Sequence, residues 1–215
     1  MNSNIEEHIP YSAEQWRKAL HVLALLIPLL MPVVGKWQSA ALLFPLVALA
    51  LSADVLRVRS ARFAAIITRV FGFMMRRSEL PAVGDPVRIN GASWVLFSSL
   101  LLVCVFPVHI ASTALATCIL GDAAAALVGR RYGRRMWPRS RRTVEGTVAF
   151  VLVGLVVLGL FGGVAFWVGA VGILLAATTE VWGDSINDNL RVPLVCAIAF
   201  YMLERYALRL DVHLF

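Results

Sequence analysis

Apolar runs at residues 20–35, 37–53, 92–106, 108–129, 144–161, 164–182 and 192–204 alternate with short charged or Gly/Pro-rich breaks. Runs of this length and composition predict helices, about seven of them, although several are shorter than the roughly 20 residues a bilayer span needs. Pro28, Pro32 and Pro45 are expected to kink the first two, because proline lacks a donor and crowds the preceding turn. Residues 62–75 mix apolar and basic positions and read as an interfacial helix. Residues 1–19 form an amphipathic lead-in, with Trp16 as interface anchor and Arg17-Lys18 at the membrane edge. They show no apolar core followed by a small-residue cleavage site, so no cleavable signal is expected. The pattern predicts an all-α polytopic transmembrane bundle in which residues 20–215 form a single unit after the lead-in at 1–19.

Composition agrees. The chain has 215 residues, 60% of them hydrophobic, and a mean hydropathy of +0.78. That is more apolar than soluble domains, so the net charge of +7 is read as membrane-surface attraction and a nucleic-acid partner is excluded. Basic residues in short loops mark the cytoplasmic side. With the N-terminus inside and the C-terminus outside, every lysine and arginine except Lys36, Arg205 and Arg209 falls on that side. Cys104, Cys118 and Cys196 all lie within apolar runs and are expected to pack; neither a disulfide framework nor a zinc spacing is present.

The same threading brings sequence-distant polar groups to one face. Gly121-Asp122 is followed by small residues, then Gly129, Arg130 and Gly133, then Arg142-Thr143-Val144-Glu145-Gly146. A later cluster runs from Glu180 through Asp184 to Asn187-Asp188-Asn189. A carboxylate in a lipid-embedded helix is costly and marks a functional candidate. Asp122, Glu145 and Asp188 are candidate catalytic acids and magnesium ligands, since magnesium takes one or two carboxylates together with phosphate oxygens. One of them, or His21, is a candidate acceptor for a hydroxyl proton. Gly121, Gly129, Arg130, Gly133, Arg142, Thr143 and Gly146 suit a polyphosphate, through close backbone approach and guanidinium forks. Asn187 and Asn189 suit a base, ribose or metal, and one of the triplet is expected to cap the last helix. Arg17, Lys18, His21, Arg76, Glu79, Glu180 and Asp184 are supporting candidates on the same face. Arg134, Arg135 and Arg139 are read as membrane anchoring, and no Walker A loop is present. The glycines of residues 154–172 are read as helix packing.

Taken in order, these residues resemble the CTP-dependent lipid-alcohol kinases, the family of dolichol kinase, phytol and farnesol kinases and the CTP-dependent diacylglycerol kinase. The resemblance covers roughly residues 14–194. Glu14, Arg17-Lys18 and His21 look like the family's opening Glu-x-x-Arg-Lys-x-x-His. Asp54 with Arg57, Arg76 with Glu79, and Gly91-Ala92-Ser93-Trp94 resemble its middle section. Gly121-Asp122 with Ala125 resembles its Gly-Asp-x-x-Ala, and Arg142-Thr143-Val144-Glu145-Gly146-Thr147 is similar to its Lys-Ser-x-Glu-Gly-Ser. Asn187-Asp188-Asn189 with Pro193 resembles its Asp-Asp-Asn and proline. Asn187 stands where the family has an acid, which lowers the charge available to a second metal.

The resemblance implies transfer of the γ-phosphate of CTP to the hydroxyl of a membrane lipid (a polyprenol, a phytol-like isoprenoid or diacylglycerol), with Mg²⁺ bridging the phosphates and the site facing the cytoplasm. CDP-diacylglycerol synthase is distantly similar around Asp122 and Arg142–Gly146, but residues 180–194 differ from its C-terminal pattern, so the kinase ranks above it. A transporter or scaffold that binds an ion is the reading from another class. It would place acids near the midplane, usually with an internal repeat, and none is visible. The sequence leaves homo-oligomer formation open.

Overall fold

The computed structural model describes residues 11–73, 80, 83–183 and 186–207, with the backbone alone at residues 11–14, 17, 18 and 207. Arg76, Glu79 and Asp184 therefore lie outside the described residues, and Arg17 and Lys18 are described only as positions on the first helix. The elements in order are α1 (Tyr11–Leu23), α2 (Leu26–Val34), α3 (Lys36–Arg59), α4 (Ala61–Phe71), α5 (Gly91–Val105), α6 (Val108–Tyr132), α7 (Val144–Phe161), α8 (Phe166–Trp182) and α9 (Asp188–Met202). A π-helical turn, Leu203–Ala207, follows α9. Among the described residues there are no strands, only an isolated antiparallel bridge between Met136 and Thr143.

Helix limits follow from local chemistry. The expected first run, 20–35, is divided between α1 and α2, and the helix that begins at Tyr11 crosses the boundary expected at residue 19. Pro28 has no N–H to offer Ala24, whose carbonyl instead accepts from Ile27 N at 3.0 Å in a tighter turn. Gly35, at φ +94°, then reverses the chain between α2 and α3 in a conformation other residues avoid. Pro32 and Pro45 sit inside α2 and α3. Residues expected to form an interfacial helix give α4, capped by Ser60, with Ile66, Val70 and Phe71 exposed beside Arg62 and Arg69.

Three helices, α3, α6 and α7, are long and apolar enough to cross a membrane; Ala19–Val34, Gly91–Val105 and Phe166–Trp182 are shorter apolar stretches. α6 is the central helix, packed against α1, α2, α5, α7 and α9. Its residues Ile110 to Ile119 are all buried, whereas α3 and α7 turn Leu42, Phe44, Leu49, Leu152, Val156 and Leu160 outward. Such exposed apolar faces on helices of this length suit hydrocarbon rather than water. Small residues permit the close crossings. Gly121 faces the Phe150 ring, Gly154 lies against Thr117 and Ile173, and Gly172 lies against Phe200. Cys118 and Cys196 are buried in the core and Cys104 packs at its edge, all unpaired, as expected of packing cysteines.

A buried polar knot ties the start of α5 to α3. Asp54, 1% exposed, accepts from Asn90 N at 3.0 Å and Asn90 Nδ2 at 2.6 Å, and pairs with Arg57 Nε at 3.4 Å. Arg57 also donates to the Arg88 carbonyl, while Asn90 Oδ1 caps α5 by accepting from Ala92 N and Ser93 N. Removing one member leaves the others buried and unpaired. Asp54→Ala is expected to destabilise the fold by about 3 kcal/mol, read as a lowered thermal unfolding midpoint of the detergent-purified protein, with Asp54→Asn less affected.

Candidate active site

Six side chains from four helices and one loop gather at one end of the bundle. α1 brings His21, α6 brings Asp122, α8 brings Glu180, and α9 brings Asp188 and Asn189; Arg142 enters from the segment between α6 and α7. The cleft between them is floored by Val95, Leu115, Cys118, Ile119, Phe150, Val192 and Pro193. It is narrow, ≈ 20 Å³, about the room one water needs.

The ion pairs form a chain. Arg142 reaches Glu180 Oε1 at 3.5 Å through Nη1 and donates to Asp188 Oδ2 through Nη2. Arg191 Nη2 donates to Asp188 Oδ1 at 2.6 Å, so each oxygen of Asp188 holds a guanidinium. His21 Nε2 lies 3.5 Å from Asp122 Oδ2. Desolvation acts to lower the Arg142 pKa, but the carboxylates of Glu180, Asp188 and Asp122 outweigh it and raise it above the ordinary arginine value. Arg142 is therefore a permanent cation at any working pH.

Arg142 is aimed by a short hairpin. Trp137 N donates to Arg142 O at 3.0 Å and Val144 N to Arg135 O at 2.8 Å, and Arg139 makes the reversal at φ 57°. The hairpin is fastened to α8, because Ser140 Oγ donates to Val181 O at 2.6 Å and Trp182 Nε1 to Pro138 O at 3.3 Å. Trp137 stacks edge-on against Trp182 and donates to Thr147 Oγ1 at 2.9 Å. None of these fastenings shows in the sequence as chemistry. Arg191 is not among the candidates the sequence singles out either, although its i, i+3 spacing from Asp188 is a usable signal.

The three acids expected to share a metal are not gathered. Asp122 and Asp188 line the cleft together with Glu180, whereas Glu145 lies in a separate open groove with Arg131, Tyr132, Gly133 and Arg134. The reason is local. Glu145 opens α7, where the helix dipole favours an acid, and its carboxylate accepts the Arg135 N–H at 3.3 Å across the hairpin. Among the described residues no three His, Cys, Asp or Glu side chains are close enough to cage an ion. Two carboxylates on one cleft are nonetheless the donor set magnesium uses when phosphates supply further oxygens.

The expected glycine cradle is filled by protein. Arg130, Arg131 and Tyr132 continue α6 as helix rather than forming a loop. A Cβ on Gly129 would meet Thr143 Oγ1 at 2.7 Å, and one on Gly146 would meet Ala125 O at 2.8 Å, so these glycines let α6 and α7 cross closely. Gly133 also backs onto Thr143. Gly121 accommodates Phe150 rather than facing open space. Asn187 caps α9 by accepting from Asn189 N at 3.0 Å, and Asn189 Nδ2 donates to Gly91 O at 3.3 Å, tying α9 to α5. Asp122 stands farther from its helix end than expected, about 15 Å before α6 stops at Tyr132 at 1.5 Å per residue. His109 pairs with Glu204 at 3.2 Å at the opposite end of the bundle, away from the cleft.

This is a cleft in an apolar helical bundle where arginines and carboxylates from distant segments meet over an apolar floor. The comparisons add kinship at low identity. The chain is 28% identical over 211 residues to CTP-dependent diacylglycerol kinase 1 of Schizosaccharomyces pombe, covering 87% of this chain and 92% of that protein. It is 25% identical over 191 residues to an uncharacterised protein of Rickettsia prowazekii, covering 86% of this chain and 91% of that one. A 38-residue segment is 42% identical to dolichol kinase of Saccharomyces cerevisiae, 18% of this chain and 7% of that enzyme. No family model and no solved structure matches.

Thr143 caps α7, its Oγ1 accepting from Gly146 N at 3.1 Å. Thr143→Val keeps the shape that packs on Gly129 and Gly133 but removes the cap, so it is expected to destabilise by about 1 kcal/mol. Thr143→Ser is expected to keep that stability, with thermal unfolding of the two variants side by side as the check.

Proposed function

We propose that the chain is an integral membrane kinase that transfers the γ-phosphate of CTP to the hydroxyl of a membrane lipid. The observation that carries this reading is the meeting of Asp122, Glu180 and Asp188 with Arg142 over an apolar floor. A headgroup hydroxyl needs the polar rim, while its tail stays among apolar side chains. The likeness to CTP-dependent diacylglycerol kinase 1 over most of both chains supports the donor and acceptor classes. The seven apolar runs support about seven spans, and the lysine and arginine distribution supports the N-terminus inside and the cleft on the cytoplasmic face.

Phosphoryl transfer is accelerated mainly by positioning and charge stabilisation. Arg142, permanently charged and held on a hairpin, turns from Asp188 and Glu180 to the incoming phosphates, which carry more negative charge. Asp122 accepts the proton of the lipid hydroxyl, with His21 beside it able to pass that proton on. The hydroxyl oxygen then bonds the γ-phosphorus, the bond to the β-phosphate oxygen breaks, and CDP leaves. Asp188 would hold Mg²⁺ together with the nucleotide, and the ion would neutralise charge on the transferring group.

The test uses the purified protein with γ-labelled CTP and, in turn, diacylglycerol, a polyprenol and phytol. A labelled lipid phosphate with equimolar CDP is expected, and Asp122→Asn should lower kcat about 100- to 1,000-fold, within the range of a lost general base. Release of pyrophosphate from CTP with phosphatidate would instead identify a cytidylyltransferase.

A further inference from the structure

We infer that Arg191 is a positioning residue that keeps Asp188 oriented toward the cleft once Arg142 has moved to the nucleotide phosphates. The inference rests on the kinase reading and assigns a role that reading does not contain.

The two arginines on Asp188 differ in their freedom to move. Arg142 is 35% exposed, stands on a hairpin outside the helices, and divides its guanidinium between Glu180 and Asp188. Arg191 is 11% exposed and belongs to the same helix as Asp188, one turn on. Its guanidinium lies flat over Gly183, where a Cβ would collide with Nε, Cζ and Nη1. Among the described residues its buried Nε and Nη1 have no hydrogen-bond partner, so Asp188 is the acceptor its charge is aimed at. One cation is exchangeable and the other is anchored.

That asymmetry solves a problem created by catalysis at this cleft. A polyphosphate draws Arg142 away with several negative charges, because guanidinium forks suit phosphate oxygens as well as carboxylates. Asp188 would then be a half-buried carboxylate facing further anions with no counter-charge, and would turn outward. Arg191 prevents this, holding Oδ1 while leaving Oδ2 turned to the cleft. A Cβ at position 183 would displace the Arg191 guanidinium from this seat.

The test compares Arg191→Met, Arg191→Lys, Gly183→Ala and the Arg191→Met/Gly183→Ala pair with wild type. Each is assayed for CDP and lipid phosphate, with kcat referred to the monodisperse folded fraction and thermal midpoints measured alongside. Arg191→Met should lower kcat about 10- to 100-fold, as for residues that orient a ligating group, while the nucleotide KM changes less than about threefold. Arg191→Lys should recover part of the loss, since it keeps the charge but not the planar fork. Gly183→Ala should lower kcat in the same way and add nothing in the double variant, because both remove one contact. A wild-type kcat in Arg191→Met, or a loss confined to KM, overturns the inference and leaves the kinase reading standing. A fall in thermal midpoint with kcat of the folded fraction unchanged shows a structural arginine only, and also overturns it. Wild-type protein that makes neither CDP nor lipid phosphate from any of the lipids overturns the kinase reading itself, and the inference falls with it.

Discussion

Carboxylates inside an apolar bundle have to be matched by cations, and that requirement organises this molecule. Water is absent from the helix interior, so an unpaired acid there costs several kcal/mol. Asp188 and Glu180 meet it with Arg142 and Arg191, and Asp54 meets it with Arg57 and Asn90. The contacts of Arg142 with Asp188 and Glu180, and of Asn90 with Asp54, join segments remote in sequence, so satisfying these charges also fixes which helix ends stand together. A buried ion pair is weak support for stability but strong support for a specific arrangement.

α6 is the axis about which this happens. Its small residues let α7 cross at Gly129 and Gly146, and Asp122 projects from its buried stretch into the cleft. The segment leaving α6 folds back as a hairpin, and Ser140, Trp137 and Trp182 tie that hairpin to α7 and α8. The position of Arg142 is thus set by hydrogen bonds and aromatic packing on its neighbours rather than by its own helix. α9 is fixed twice, by Asn187 at its cap and by Asn189 on the Gly91 carbonyl of α5. Motifs that read as a ligand cradle therefore also serve as joints between helices, and one glycine or threonine can carry both roles only where backbone groups remain open to a ligand.

The likeness to a diacylglycerol kinase and the geometry of the cleft address different questions. Kinship across most of both chains bears on the chemistry performed. The cleft bears on which residues are within reach of one another: Glu180 stands with Asp122 and Asp188, and Glu145 lies apart. Glu145 follows Thr143 in the stretch that resembles the lipid-kinase motif, yet its carboxylate is engaged with the Arg135 N–H on the far side of the hairpin.

Helix positions were legible in the sequence because long apolar runs leave few alternatives. Expected runs at 92–106, 144–161 and 164–182 correspond to α5, α7 and α8 within about two residues, the usual uncertainty of helix ends. The packing role of the cysteines and the capping role within Asn187–Asn189 were legible too, since burial and capping follow from residue type. The break between α1 and α2, the helical state of Arg130–Tyr132 and the partners of Glu145, Arg142 and Arg191 were not. These depend on which carbonyl a proline leaves open, on how closely two glycines let helices cross, and on which cation is nearest a given acid. Sequence by itself determined that this chain is a helical bundle with acids and arginines at the ends of apolar segments. Only the tertiary structure decided which of them share a cleft, because charge pairing acts across space between side chains whose distance in the chain carries no record of it.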